Sequence, residues 1–200
     1  GLGLAAGLPL KEAITLSNTA AGIVVGKVGT ATLSKRELLQ ALEQTSEDSV
    51  SKYKSLKEIS QLCRKLQKDR KRIVMTNGCF DLLHVGHIRL FSASKQLGDV
   101  MIVAIDDDDS VKLLKGAGRP VIGITERIRI LSALDSVDYV VVFATNELDN
   151  VIGAIRPDVL TKGSDYESAE ILGHEIVEGY GGRIERIPIT EKISATQIIN

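Results

Sequence analysis

Short apolar segments alternate with helix-patterned segments from Arg72 onward, and this alternation constrains the fold more than any other feature. The apolar segments, such as Val100 to Ile105, are almost continuously hydrophobic, as in strands that are covered on both faces. Strands are predicted at 72–77, 100–105, 138–143, 158–162 and 183–189. Helices are predicted at 86–97, 108–115, 125–134, 147–155, 167–180 and 194–199, with a left-handed cap at Gly98. Repeated β–α units of this length predict an α/β fold with a doubly wound parallel sheet.

The residues before Arg72 follow a different pattern. The segment 1–45 combines helical stretches with a glycine-punctuated apolar run, and it holds too few large apolar groups to form a core of its own. Residues 46–54 are polar and unpatterned, which is typical of a linker. Ser55 and Glu58 have the spacing of a capping box, which predicts a helix. One face of that helix is apolar, formed by Leu56, Ile59, Leu62, Cys63 and Leu66. The predicted organisation is an N-terminal helical segment, a linker and an α/β domain over 55–200.

Composition excludes several classes of function. The net charge is −1 and only 4% of the residues are aromatic, so the chain fits neither a general nucleic-acid binder nor a stacking platform for single strands. No apolar run approaches the roughly 20 residues of a membrane span. The two cysteines, Cys63 and Cys79, offer no disulfide framework, which suits a reducing compartment. A soluble, cytoplasmic protein that binds neither nucleic acid nor membrane is predicted.

The first predicted strand runs directly into a turn with two histidines, His84 and His87, where a helix begins. Gly78 at the strand end permits a tight turn and lets a ligand approach the backbone closely. Ligands of open parallel sheets bind beyond the carboxyl ends of the strands, and a helix N-terminus favours phosphate. Two imidazoles there add donors for an oxyanion, as phosphoryl or nucleotidyl transfer requires. The alternatives are a zinc site, for which His174 is the only remaining histidine, and ordinary polar capping.

The string at 78–87, Gly-Cys-Phe-Asp-Leu-Leu-His-Val-Gly-His, resembles the H-x-G-H nucleotidyltransferase superfamily. These Rossmann-like α/β enzymes join a nucleoside monophosphate to a phosphorylated acceptor and release pyrophosphate. Residues 72–200 are most similar to the adenylyltransferase domain of bacterial ADP-heptose synthesis, which acts on D-glycero-β-D-manno-heptose 1-phosphate. The further strings that carry this similarity are 76–81, 108–116 with Arg119-Pro120, Glu126-Arg127 with Val137-Asp138, 157–160 with 162–166, and 194–196. The resemblance implies ATP and a sugar phosphate as substrates, with Mg²⁺ on the leaving pyrophosphate.

The resemblance also implies roles for individual residues. The implied catalytic residues are His84, His87, Lys112 and Arg127. The implied nucleotide-binding residues are Gly78, Cys79, Phe80, Asp81, Gly86, Ser194 and Thr196, and those for the acceptor are Lys115, Lys162 and Asp165. Each of these residue types has a physical use. Lysines three positions apart share a helix face, and a planar guanidinium group suits phosphate. Hydroxyl groups at the start of a helix hold an anion. Arg127 is expected on the triphosphate and Lys112 near both substrates. The alternatives are exposed solubilising lysines and a plain helix cap.

The acidic run at 106–109 is expected to cap the next helix rather than to hold a metal, because only alternate residues of an extended stretch share a face. No protein ligand is therefore assigned to a metal. The chain departs from the resembled branch where Asp106-Asp107 replace the usual Asn-Ser, and where Ala195 replaces a residue with a hydroxyl. Two alternatives stay open, namely a cytidylyltransferase for another polyol or sugar phosphate, and a nucleotide-binding domain that has lost catalysis.

The N-terminal segment resembles the carboxyl end of a ribokinase-like sugar kinase, through residues 3–10 and 20–32. In bifunctional heptose enzymes such a kinase precedes the adenylyltransferase. The Gly-Ala-Gly-Asp string, which supplies the anion hole and the catalytic Asp of that kinase family, does not occur in the sequence. The segment is therefore expected to be a remnant without kinase activity. Its apolar groups could also join two copies of the chain in a homo-oligomer.

Overall fold

The computed structural model describes residues 52–163 and 171–188, together with the isolated positions 7, 17, 20, 34 and 35. By its contacts the chain divides into two units, Gly1–Val50 and Ser51–Asn200. The helical segment predicted at 1–45, most of the predicted linker and the helix predicted at 194–199 lie outside the described residues. Within the described ranges, no helix combines the length and the apolarity needed to cross a membrane.

Strands and helices alternate as predicted in the second unit. The strands are β1 (Ile73–Gly78), β2 (Val100–Asp106), β3 (Tyr139–Phe143), β4 (Val159–Gly163) and β5 (Arg183–Ile187). The helices are α1 (Leu56–Lys68), α2 (Val85–Lys95), α3 (Asp108–Lys115), α4 (Ile124–Ser132), α5 (Leu148–Ile155) and α6 (His174–Gly179), and a 3-10 turn spans Thr145–Glu147.

The strands of the described region form one parallel sheet in the order β3-β2-β1-β4-β5. The chain starts in the centre with β1, moves outward through β2 and β3, and returns to place β4 on the other side of β1. The register pairs Gly78 with Ile105 and Thr76 with Thr161, so the carboxyl ends of β1, β2 and β4 lie side by side. The reversal of strand order at β1 and β4 marks the edge where such sheets bind their ligands.

Alternate residues of the strands face two separate cores, which confirms the doubly wound α/β arrangement. One core lies under α1, α5 and α6 and contains the fully buried Met75, Ile102 and Leu160. The other lies under α2 and α4 and contains Val74 and Val103. Because both faces of the sheet are covered, the strands have the near-continuous apolar sequences from which they were predicted.

Helix α1 begins where the capping box predicts. The Ser55 hydroxyl accepts the backbone N–H of Glu58, and the Glu58 carboxylate accepts the backbone N–H of Ser55 at 2.9 Å. The residues just before α1 lie against the sheet, because the N–H of Lys54 donates to the carbonyl of Val140 at 2.9 Å and Tyr53 pairs with Val140. The last part of the segment predicted as a linker is therefore bound to β3.

The helix predicted at 167–180 has a different start in the described region, where α6 begins at His174. Gly173 precedes it with φ +84°, a left-handed conformation that L side chains rarely adopt. A Cβ on Gly173 would lie 2.1 Å from Cδ1 of Ile152 in α5. The start of α6 is thus set by its packing on α5, which helical propensity does not encode. Residues 164–170 lie outside the described range.

The prediction of a left-handed cap at Gly98 is wrong, because Gly98 is not among the glycines with positive φ. Gly98 is required for space instead. A Cβ at this position would lie 2.6 Å from Cγ2 of Val74 and 2.8 Å from the carbonyl oxygen of Arg72. The glycine lets the chain between α2 and β2 pass close to β1.

We expect Gly98→Ala to lower the free energy of unfolding by about 1–3 kcal/mol, the usual cost of overpacking a core. Chemical denaturation measures this change. Gly153→Ala in α5 is the matched control, because no atom lies within 4 Å of a Cβ there and alanine is the better helix former by roughly 1 kcal/mol. Equal stability of the two variants would contradict the packing role of Gly98.

Candidate active site

The turn between β1 and α2 is held in shape by Phe80. This residue has φ +45°, and its ring is 7% exposed. The ring packs edge-on against Phe91 and against His87, with centroid distances of 5.0 and 5.2 Å. A Cβ on Gly78 would approach the Phe80 ring to 3.2 Å, so the glycine leaves room for the ring to fold back over the strand end. Gly78 and Phe80 thus shape the turn, and their direct contact with a nucleotide stays a prediction.

The two histidines of the turn lie against each other. His84 is the N-cap of α2, His87 is its third residue, and Gly86 is buried between them. The two imidazole rings stack with centroids 3.8 Å apart and planes at 28°. The backbone N–H of His84 donates to Nδ1 of His87 at 3.4 Å, so the neutral His87 ring carries its proton on Nε2. His87 therefore has an Nε2–H group that can donate to a ligand.

Burial favours the uncharged form of both imidazoles. Burial, the charge of His84 and the charge of Lys115 together lower the pKa of His87 to about 4. Burial and the Lys115 charge also lower the pKa of His84. His87 is accordingly a neutral donor at physiological pH. The N–H of His87 donates to the carbonyl of His84 at 2.9 Å, and the N–H groups of Val85 and Gly86 before it have no acceptor within the helix and add further donors at the same place. The combined arrangement suits an anion such as a phosphate group.

Of the two lysines predicted on α3, Lys115 is the one whose charge acts on the histidines. It is the last residue of α3, and its charge also opposes the pKa shift of the Cys79 thiol. Lys112 is exposed, and its expected position near both substrates stays a prediction. The structure therefore places Lys115, which was assigned to the acceptor, where its charge affects the histidine pair.

Arg127 is placed differently from the expectation of a triphosphate contact. It is 1% exposed, and its guanidinium donates to the carbonyl oxygens of Cys79 and Asp106, both at 2.7 Å. It also donates to the carboxylate of Asp108 at 2.6 Å. The guanidinium fork is thus occupied by protein acceptors from three segments: the turn after β1, the end of β2 and the start of α3. Nε of Arg127 is buried without a hydrogen-bond partner in the described part of the chain, and a contact of Arg127 with the triphosphate stays a prediction.

Asp81 is also engaged within the protein rather than open to a nucleotide. It is 2% exposed and forms an ion pair with Arg119. Its carboxylate further accepts the backbone N–H groups of Val121 at 2.7 Å and Ile122 at 3.1 Å. These bonds fasten the loop between α3 and α4 to the histidine turn. These contacts indicate that Asp81 stabilises the structure of the site.

A second polar group lies beside the turn, at the ends of β1, β2 and β4. Nζ of Lys162 donates to the carbonyl of Asn77 at 2.7 Å. Asp106 is 6% exposed and accepts a hydrogen bond from the Cys79 thiol. Burial and the Asp106 charge raise the pKa of Cys79 to about 11, so Cys79 stays a thiol and is no nucleophile. Sequence reasoning missed Asn77, although the period of two along a strand places Asn77, Asp106 and Lys162 on one face.

We expect the catalytic efficiency to fall as the pH rises through about 8, because burial lowers the pKa of Lys162 to about 8 and the ammonium is lost above that value. The measurement is kcat/KM against pH, which reports groups of the free enzyme. In Lys162→Gln this alkaline decline should disappear. Lys65→Gln, on the exposed side of α1, is the control and should keep it. An unchanged profile in Lys162→Gln would remove Lys162 from substrate binding.

The acidic run caps α3 as predicted. The carboxylate of Asp107 accepts the backbone N–H of Ser110 at 2.8 Å. The carboxylate of Asp108 accepts the backbone N–H of Ile124 at 3.2 Å in addition to its bond with Arg127. Among the residues that the structure describes, no three His, Cys, Asp or Glu side chains are grouped so as to hold a metal ion.

Three predicted site residues, Asp165, Ser194 and Thr196, lie outside the described residues. Asp165 follows β4 by two residues, and the other two follow β5. Both strands are parallel to β1 and therefore end at the edge of the sheet that carries the histidines. Their roles stay predictions.

Comparison with known proteins decides the family. Residues 75–200 match the model of the cytidylyltransferase-like family. The chain belongs to this family. The match includes the histidine turn and the ends of β2 and β4, and it makes the chain a nucleotidyltransferase.

The relatives of this cytidylyltransferase-like chain include longer proteins. It is 52% identical over its whole length to the bifunctional protein HldE of Desulfatibacillum aliphaticivorans, and 44% identical to that of Syntrophotalea carbinolica. The chain spans 41% of the length of each of these relatives.

A solved structure with a similar fold is the lipopolysaccharide core biosynthesis protein from Thermoplasma volcanium, at 26% identity and a TM-score of 0.51. That match covers 62% of this chain and 99% of the other. The pantoate-beta-alanine ligase of Francisella tularensis, at 17% identity and a TM-score of 0.56 over 74% of this chain and 72% of the other, shares the fold.

Proposed function

We propose that this chain transfers AMP from ATP to D-glycero-β-D-manno-heptose 1-phosphate, forming ADP-heptose, a lipopolysaccharide precursor, and pyrophosphate. The observation that carries the transfer reaction is the stacked, neutral histidine pair at the N-terminus of α2, at the switch point of a parallel sheet. The sugar acceptor is supported by the strings that resemble the heptose adenylyltransferases and by the similarity of the whole of this chain to a part of the HldE proteins.

The proposed chemistry is a direct displacement at the α-phosphorus. A phosphate oxygen of the acceptor attacks the α-phosphorus, the bond to the bridging oxygen of the β-phosphate breaks, and pyrophosphate leaves with the electron pair. The Nε2–H group of His87 and an N–H group of the His84 ring donate to the phosphate oxygens on which negative charge increases during the displacement. Lys115 adds a positive charge beside them. Since Cys79 stays protonated, its thiol is no nucleophile, and the displacement needs no covalent intermediate on the protein.

Magnesium is proposed to arrive with the nucleotide rather than to reside in the protein. Three carboxylates near the turn already serve the fold, since Asp81 binds Arg119, Asp107 caps α3 and Asp108 binds Arg127. They do not form a cage for the ion. Phosphate oxygens and water would hold Mg²⁺, which would neutralise charge on the pyrophosphate.

A pyrophosphate-release assay tests the proposal, with ATP, CTP, GTP and UTP each paired with heptose 1-phosphate, glycerol 3-phosphate and other sugar phosphates. Release with ATP and heptose 1-phosphate above every other pair is the expected result. A preference for CTP would mean that CTP, and not ATP, is the nucleotide donor. The family's description as cytidylyltransferase-like makes this the second candidate function. Binding of ATP by titration calorimetry without release from any pair would indicate a domain that has lost catalysis.

We propose that the part from Lys52 onward is the catalytic unit, because the described site lies after Arg72 and Tyr53 and Lys54 bind β3. Deleting residues 1–51 should leave a cooperative thermal transition and turnover close to that of the full chain. Loss of either would place part of the catalytic unit before Lys52. The same two proteins, compared by light scattering, test whether the segment 1–45 joins two copies of the chain.

The free thiols of Cys63 and Cys79 fit the proposed cytoplasmic location.

A further inference from the structure

Three polar side chains lie on one face of the sheet, at the carboxyl ends of three adjacent strands. Asn77 belongs to β1, Asp106 to β2 and Lys162 to β4. The residues two positions before them all belong to the core under α1 and α5, and they are Met75, Ala104 and Leu160. Since side chains alternate along a strand, Asn77, Asp106 and Lys162 extend this face at its ligand-binding edge. The histidine helix α2 covers the opposite face.

The acceptor oxygens of this group are only partly supplied with hydrogen bonds by the described residues. Asp106 is 6% exposed, and the donor to its carboxylate within the described region is the Cys79 thiol, which is a weak one. Arg127, although close, donates to the backbone carbonyl of Asp106. Asn77 is 7% exposed, and its Oδ1 has no hydrogen-bond partner among the described residues. Nζ of Lys162 donates to the Asn77 backbone carbonyl. Asn77 Oδ1 thus lacks a donor within the described region, and the Asp106 carboxylate can accept further hydrogen bonds beside that of the Cys79 thiol.

Buried acceptors require donors, and this requirement selects the ligand. The oxygens of an ionised phosphate are acceptors, so they suit the histidine side of the edge and not the Asp106 side. Sugar hydroxyl groups are donors, and neighbouring hydroxyls can reach two acceptors at once. We propose that Asp106 and Asn77 form a subsite that binds hydroxyl groups of a substrate sugar. This inference rests on the proposed function, which supplies two sugars: the ribose of the nucleotide and the ring of the acceptor.

The test pairs Asp106→Asn with substrates that lack single hydroxyl groups. On the unchanged protein, removing the hydroxyl that Asp106 accepts should lower kcat/KM by roughly tenfold to a hundredfold, the range for a hydrogen bond to a charged group. Asparagine keeps a neutral acceptor oxygen, so the same analogue should bring a smaller loss in Asp106→Asn, roughly twofold to tenfold. A response to 2′-deoxy-ATP or 3′-deoxy-ATP assigns the ribose, and a response to a deoxygenated acceptor assigns that sugar. Asp109→Asn removes an exposed carboxylate of the same run and should behave like the unchanged protein.

Two results would overturn the subsite. In the first, the unchanged protein uses every singly deoxygenated substrate as well as its parent, which decides the question even if Asp106→Asn fails to fold. In the second, the losses from Asp106→Asn and from each analogue simply multiply, as they would for a residue with a structural role only. If no substrate pair releases pyrophosphate, the proposed function fails, and titration calorimetry with ATP, the two deoxy-ATPs and the sugar phosphates tests the subsite separately. Equal affinity for parent and deoxygenated compounds would then count against it.

Discussion

Replacing His87 by alanine is expected to lower the rate of pyrophosphate release by roughly a hundredfold or more, the loss typical of one oxyanion donor. The variant loses the Nε2–H group of His87. It also loses Nδ1 of His87, which accepts the backbone N–H of His84. Because the His87 ring packs against Phe80, a loss of about 1 kcal/mol in stability should accompany the kinetic effect. Steady-state turnover and thermal denaturation of the same preparation separate the two.

His174→Ala is the control for this experiment. His174 lies in α6, and its Nδ1–H donates to the carbonyl of Ile171 at 3.0 Å. Its removal therefore affects the packing around α6 and not the turn that carries His84 and His87. Near-normal turnover of His87→Ala would refute the assignment of the histidine pair. A rate that falls only in proportion to the unfolded fraction would do the same.

Replacing Arg127 by lysine is expected to reduce stability by roughly 3 kcal/mol, because a buried charge loses part of its hydrogen bonding. A single ammonium cannot span the carbonyls of Cys79 and Asp106 together with the carboxylate of Asp108. The turn, β2 and α3 would then shift relative to one another, so turnover should fall while the Michaelis constants of the two substrates change little. Arg129→Lys, on the exposed side of the same helix, should leave stability and turnover unchanged.

The pattern of the kinetic constants separates the two roles of Arg127. A residue that binds the triphosphate would raise the Michaelis constant of the nucleotide and leave the fold stable. If Arg127→Lys shows that pattern, the predicted contact between Arg127 and the triphosphate is supported.

The sequence was sufficient for the features that depend on local pattern. Apolar runs predicted the strands, the capping box predicted the start of α1, and the histidine string predicted the turn between β1 and α2. Partners of polar residues were not accessible in the same way. Arg127 and Asp81 bind groups 48 and 38 positions away in the chain, and nothing in their own surroundings specifies those contacts. The space requirement at Gly98 is likewise imposed by a residue distant in sequence, Val74.

The bonds of Arg127 to the turn and to β2 end on main-chain carbonyl oxygens, and this has a consequence for protein engineering. A carbonyl oxygen is present whatever amino acid occupies the position. These two hydrogen bonds of Arg127 therefore do not depend on the side chains of Cys79 and Asp106. Both positions can therefore be randomised together in a library without removing an Arg127 contact. Selection for new acceptor sugars would then act on a site whose scaffold stays constant.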